Sequence, residues 1–295
     1  MVANIVGAYL VEQNILTQEQ LKDALYEMQK TRAKLGLIAV ADGILSAEDA
    51  DLINRKQALQ DKRFGDIAVE MGLLDEMQVR KLLEKQGDGY MSFAQVLENM
   101  GLMNIEQLEQ CLVDFRQENH FTNADIESLK TDDPDKILPL YMPHGSEPYF
   151  EICGMCLRTL IRFVDRQIYP GRGFYAETLR SDHAALQLAE GAPSMSAGIS
   201  GTKDSLLPLA SIFGKEDFKE MDDYALDAVA EFVNCVNGLY VSEKSREGMK
   251  FELMPPEFST GIEALSSERM LVLPVYIKNR PVDFVVALNK TITLE

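Results

Sequence analysis

Apolar residues recur at helical spacing through roughly the first 118 residues, and the pattern restarts at fixed intervals. Phe64, Ile67, Ala68 and Met71 fall on one face of a predicted helix. Gly72 follows, then an apolar pair, then Asp75, and then Val79 and Leu82 about one turn apart. Segments starting at Gly7, Gly36, Gly65 and Ala94 repeat this arrangement every 29 residues without a gap. Their turn column reads Asn14, Gly43, Gly72 and Gly101, and their cap column reads Thr17, Ser46, Asp75 and Asn104. Gly or Asn supplies the left-handed residue that ends a helix, and a Thr, Ser, Asp or Asn oxygen caps the next one. The pattern predicts an all-α domain of four helix-turn-helix repeats, each burying its apolar stripe on its neighbours.

From Asn119 the period stops. The acidic, Pro-containing stretch "NHFTNADIESLKTDDPDKILPLYMPHGSEP" reads as a tail and linker, with "DKILPLYMP" packing back on the first domain. The boundary is placed between 143 and 144, giving domains 1–143 and 144–295. Beyond it, "EPYFEICGMCLRTLIRFVDRQI" has the spacing of a long amphipathic helix. Alternation around Phe174 to Leu188 and Ser194 to Ser200 suits strands, and "GTKDSLLPLASIFG" suits a turn with a short helix. A second long helix is expected over Asp222 to Asn237, ended by Gly238 and followed by a strand. "KFELMPPEF", "MLVLPVYIKN" and "PVDFVVALN" read as antiparallel strands with "KNRP" as a turn. Two long helices on an antiparallel sheet make this domain, and the chain overall, α+β.

Charge narrows the partners. A formal net charge of −18 repels a nucleic-acid backbone, so no nucleic acid is expected. No apolar run approaches the roughly 18 residues a membrane helix needs, and "MVANIVGAYLVEQN" lacks the basic start of a signal peptide. A cytoplasmic protein without membrane insertion is the expectation. Cys153 and Cys156 form a CxxC, but they sit in a continuous apolar helix pattern with no second pair. Packing is the expected role, in preference to zinc or redox chemistry. His120, His144 and His183 are scattered, and no metal site is expected.

The second long helix carries the candidate chemistry. Asp227, Glu231 and Asn234 lie within roughly 60° of one another at about 100° per residue. Ala228, Val229, Phe232, Val233 and Val236 fall on the opposite, core-facing arc, and Asn237 is expected to face solvent. Any amphipathic helix has a polar face, which by itself accounts for Glu231. Two Asn late in a helix are less easily explained, because Asn propagates a helix poorly. A carboxamide can hold a water in line with a phosphorus atom.

Two resemblances add to these expectations. The repeats resemble the MshEN domain of type II secretion and pilus ATPases, whose paired motifs can bind cyclic di-GMP. Lys34, Leu35, Gly36, Gly43 and Gln57 match one motif, and Arg63, Phe64, Gly65, Gly72 and Gln86 match the other. Lys34 stands where the motif has Arg, which removes a planar fork. The resemblance leaves open a nucleotide-binding role and a protein-interaction or structural one. Asp227-x3-Glu231-x2-Asn234-x3-Gly238, with Pro255 and Pro256 beyond it, resembles the signature of the CheC/CheX/FliY chemotaxis phosphatases. CheC proteins carry the Glu-x2-Asn pair on both long helices. Here Glu151 is followed by Gly154, so the likeness is to CheX. It implies a phosphatase acting on the aspartyl phosphate of a CheY-like receiver domain, with Glu231 and Asn234 catalytic and Asp227 supporting. It also implies Mg²⁺ on the receiver and a homodimer, while the repeats in front, which a simple CheX lacks, are expected to act as a sensory or targeting module. A non-catalytic receiver-binding adaptor and a cyclic di-GMP effector are the alternatives.

Overall fold

The computed structural model describes residues 1–60 and 62–295. Contacts along the chain divide it into two units, Met1–Asp133 and Pro134–Glu295. In the first unit the helices come in pairs: α1 (Val2–Glu12) with α2 (Gln18–Met28), and α3 (Leu35–Ala41) with α4 (Ala47–Gln57). The pairs α5 (Phe64–Glu70) with α6 (Glu76–Glu84) and α7 (Gly89–Asn99) with α8 (Ile105–Glu118) complete the four repeats. Asn14, Gly43, Gly72 and Gly101 all have left-handed backbone, with φ of 58°, 65°, 71° and 65°. Thr17, Ser46, Asp75 and Asn104 each accept a hydrogen bond from the backbone N–H three residues on. The first column also has a mechanical cause. A Cβ on Gly7 would stand 2.2 Å from Leu21 Cδ1, and one on Gly65 would stand 2.7 Å from Val79 Cγ1. Glycine there lets the second helix of a repeat lie against the first.

The segment after Asn119 is not a linker. Thr122 and Asp125 form a capping box that starts α9 (Asn123–Lys130). Lys130 at its end reaches Glu109 of α8 at 2.9 Å and lies 5.0 Å from the Tyr90 ring of α7. The next segment, "PDKILPLY", forms α10 (Pro134–Tyr141) and belongs to the second unit, not the first. It packs on α11 (Phe150–Phe163), where Asp135 pairs with Arg158, and the Tyr141 carbonyl accepts the Gly173 N–H at 2.7 Å. The division therefore falls at 133/134, ten residues before the expected 143/144.

The second unit builds one antiparallel sheet. Its strands are β1 (Tyr169–Pro170), β2 (Phe174–Arg180), β3 (His183–Gly191), β4 (Met195–Gly201), β5 (Phe251–Leu253) and β6 (Glu257–Thr260). After these come β7 (Ala264–Ile277), β8 (Arg280–Leu288) and β9 (Thr293–Leu294). The main path runs β1-β7-β8-β4-β3-β5, while β2 and β9 pair with β7 and β6 pairs with β3. Lys278 and Asn279, both at positive φ, make the tight turn between β7 and β8. Between β4 and β5 come α12 (Lys203–Gly214) and α13 (Asp223–Arg246).

Register assigns the faces. Ala185, Gln187 and Ala189 of β3 share one face with Ala197 and Ile199 of β4, Phe284 and Val286 of β8, and Leu271 and Leu273 of β7. On the other face Leu186, Val285, Val272 and Ala287 form a second core with Leu265 and Ile292.

Candidate functional site

α13 starts on Asp222, whose carboxylate accepts the Ala225 N–H at 3.0 Å. Ala225, Leu226, Val229, Phe232, Val233 and Val236 are buried. Phe232 sits edge-on to Phe213 of α12, with centroids 5.3 Å apart. The helix does not end at Gly238, and no strand follows it there. It runs 24 residues, because contacts beyond Gly238 carry it onward. Tyr240 is buried near Phe251, and Lys244 pairs with Glu151 of α11 and with Glu247. Burial works against the Lys244 charge, but the two carboxylates outweigh it and push the pKa above the ordinary lysine range.

On this rod Asp227 and Glu231 are exposed and Asn234 is half-buried. Asn237, expected in solvent, is fully buried. It points at the sheet and donates from Nδ2 to Gln187 Oε1 at 3.1 Å. Gln187 Nε2 donates to Asn234 Oδ1 at 2.8 Å and to the Met254 carbonyl at 2.9 Å. Met254 is fixed in turn by its own N–H, which donates to the Leu188 carbonyl at 2.9 Å. The two Asn thus face different ways. Asn237 is the floor of the site, while Asn234 bridges that floor to the surface beside Glu231.

Gln187 is absent from the sequence-based expectations, although a signal for it exists. It alternates in phase with Ala185 and Ala189, so it is an amide on an otherwise apolar face of a strand. Pro255 follows Met254 directly, which places the Pro-Pro pair beside the same network.

Cys235 lies on the flank of the helix. Burial raises its thiol pKa, the Arg162 charge opposes that, and Glu231 adds to it. Cys153 and Cys156 are fully buried in α11, and burial pushes both thiols well above the usual range. They are packing residues with no reactive thiolate. Among the described residues no three His, Cys, Asp or Glu side chains converge as metal ligands. No helix among them is long and apolar enough to cross a membrane.

In the repeat unit the motif columns have structural occupations. Lys34 and Arg63 are N-caps of α3 and α5 with exposed side chains, and Leu35 and Phe64 are the first residues of those helices. Gly36 is approached by the Phe64 ring at 3.1 Å from its would-be Cβ, while Gly43 and Gly72 make the turns. Gln57 Nε2 donates to the Lys62 carbonyl at 3.1 Å, and Gln86 Nε2 donates to the Ala33 carbonyl at 2.8 Å. Each closing Gln therefore holds the residue just before the other motif. The cavity of about 350 Å³ that Lys34 and Gly36 line also carries Asp51, Glu98 and Glu106. One cation among three carboxylates is a poor setting for a phosphodiester.

An α+β unit with long helices on an antiparallel sheet, presenting an exposed Glu231 beside a half-buried Asn234, defines the class of the second unit. Residues 184–275 match the model of the family described as chemotaxis phosphatase CheX, and the second unit is CheX-like. The match covers about a third of the chain and lies wholly within that unit. Among solved structures, a CheC-like superfamily protein from Shewanella sp. PV-4 is 16% identical, with 47% of this chain and 94% of that one covered and a TM-score of 0.43. A CheX from Desulfovibrio desulfuricans is 18% identical, covering 48% and 99% at a TM-score of 0.42. A CheX-CheY-BeF3-Mg²⁺ complex from Borrelia burgdorferi matches at 18% identity, covering 47% and 95% at a TM-score of 0.38. No protein of curated function matches the chain.

Proposed function

We propose that the second unit hydrolyses the aspartyl phosphate of a CheY-like receiver domain. The observation that supports this most directly is the exposed Glu231 beside the half-buried Asn234 on one face of an anchored helix, inside the CheX-matching residues. An acyl phosphate has a carboxylate as its leaving group, so what it lacks is an oriented water. Water attacks phosphorus, the bond between phosphorus and the carboxylate oxygen breaks, and inorganic phosphate and free aspartate result. A carboxamide supplies no proton chemistry of its own. Its contribution is to hold the water in line and lower the entropic part of the barrier. In this scheme Asn234 enters the receiver's site and Glu231 pairs with a lysine there, which registers the docking. Asp227, one turn before Glu231, supports the docking surface. The receiver carries the Mg²⁺. The repeat unit serves as a sensory or targeting module, and two copies of the chain pair as a homodimer.

The test is phosphate release from a phosphorylated receiver domain with Mg²⁺ present. The native chain should accelerate release, Asn234→Ala should lose on the order of 10²-fold, and Glu231→Gln should chiefly weaken docking. A native chain that binds the receiver without accelerating release would instead be an adaptor.

A further inference from the structure

We infer that Gln187 is a positioning residue that fixes which end of the Asn234 carboxamide faces outward, and that this end is the Nδ2 amino group. The inference rests on Asn234 being the residue that addresses the partner's phosphoryl group. The orientation follows from one backbone atom. The Met254 carbonyl can only accept, so the Gln187 atom 2.9 Å from it is the donor Nε2. The second N–H on that nitrogen is aimed at Asn234 at 2.8 Å, so the Asn234 atom facing it is the acceptor Oδ1. Gln187 Oε1 can only accept in turn, and Asn237 Nδ2 donates to it at 3.1 Å. Turning over any one of the three amides sets donor against donor or acceptor against acceptor. Gln187 is only 3% exposed, so water cannot relieve such a clash. Asn234 is left with its amino group available to a partner. An outward amino group donates, to a phosphoryl oxygen or to a lone pair of the attacking water. An outward carbonyl would instead accept a proton from that water.

Gln187→Glu replaces the central donor by a carboxylate oxygen that faces two acceptors: the Met254 carbonyl cannot turn, and Asn234 meets the oxygen as a donor only by turning over. The full chain is compared with this variant in two measurements. The first is hydrogen exchange of the side-chain amides by ¹H–¹⁵N spectroscopy, with the Asn234 signal identified by its loss in Asn234→Ala. In the native chain the Asn234 amide protons should exchange freely while those of Gln187 are protected, and in Gln187→Glu the Asn234 protons should become protected. The second is receiver dephosphorylation, where kcat should fall on the order of 10²-fold in Gln187→Glu while KM stays within about threefold. Protected Asn234 protons in the native chain would overturn the inference, as would a folded Gln187→Glu variant with unchanged exchange and kcat. If the native chain does not accelerate dephosphorylation, the phosphatase proposal fails, yet native-state exchange still decides the orientation.

Discussion

Gly238 lies in the interior of α13, four residues after Asn234 and on the same face of the helix. A helical glycine costs roughly 1 kcal/mol relative to alanine, so its presence calls for a cause. None is found among the described residues. Its φ is not positive, and a Cβ built on it would meet no atom within 4 Å. Gly238→Ala should therefore recover nearly the full helix-propensity difference, about 1 kcal/mol, with no steric charge against it. For a unit of this size that raises the melting temperature by roughly 2–4 °C, read by circular dichroism. Under the proposed function, the same methyl group would stand on the surface a receiver approaches to reach Asn234. Overpacking a close contact costs about 1–3 kcal/mol, which is roughly a 5- to 150-fold weaker Kd for the phosphorylated receiver. The variant should be more stable and a poorer phosphatase. A lower melting temperature would show that the fold needs the glycine. A raised one with unchanged receiver affinity would mean that the partner does not seat over this face.

Other consequences follow from the same coordinates. Burial pushes the Asp283 carboxyl up to about 6, above its unfolded value near 4. The associated penalty is absent below about pH 4, grows as pH rises toward 6 and is complete above it, so Asp283→Asn should gain on the order of 2 kcal/mol at pH 7 and nothing at pH 4 in urea melts. Gly65→Ala drives a Cβ to 2.7 Å from Val79 Cγ1 and should destabilise the repeat unit by about 1–3 kcal/mol in denaturant melts. Calorimetric titration with cyclic di-GMP should give no heat, because Asp51, Glu98 and Glu106 line the same cavity as Lys34. A saturable exotherm that Arg63→Ala removes would instead establish the repeats as a nucleotide site.

The repeats were legible because their signals are local. A left-handed residue, a capping oxygen and a helical stripe act within a few residues of one another, so a 29-residue period exposes them four times over. The same logic should have found α9, since Thr122 and Asp125 form the same box as Thr17 and Gln20. Its acidic, irregular flanks obscured it. Gly238 misled because glycine so often ends a helix, whereas here burial of Tyr240 and pairing of Lys244 carry α13 onward. Asn237 was misplaced for a different reason. Helical angle puts it near the edge of the polar stripe, and only the partner strand decides whether an edge residue turns in. That strand brings Gln187, 50 positions away in sequence, and no spacing rule within one element can anticipate such a pairing.

The polar floor under Asn234 has a thermodynamic signature that separates positioning from structural support. Asn237 is fully buried, and its Oδ1 finds no partner among the described residues. A buried unsatisfied acceptor costs about 1–3 kcal/mol, whereas replacing both members of a buried polar pair by apolar groups of similar shape is near neutral or stabilising. A chain with Gln187→Met and Asn237→Leu together removes the unpartnered Asn237 acceptor. It also takes the Gln187 donor from Asn234 and from the Met254 carbonyl, both on residues that are not fully buried. It should therefore unfold at a urea concentration close to that of the native chain. Its Asn234 would lose the fixed donor from Gln187, and receiver dephosphorylation should slow on the order of 10²-fold. If the double variant instead loses several kcal/mol, the amides are needed by the fold itself, and their claim to a role in positioning falls. A double variant as stable as the native chain but slower would place the contribution of these amides in the orientation of Asn234 and not in the stability of the core beneath it.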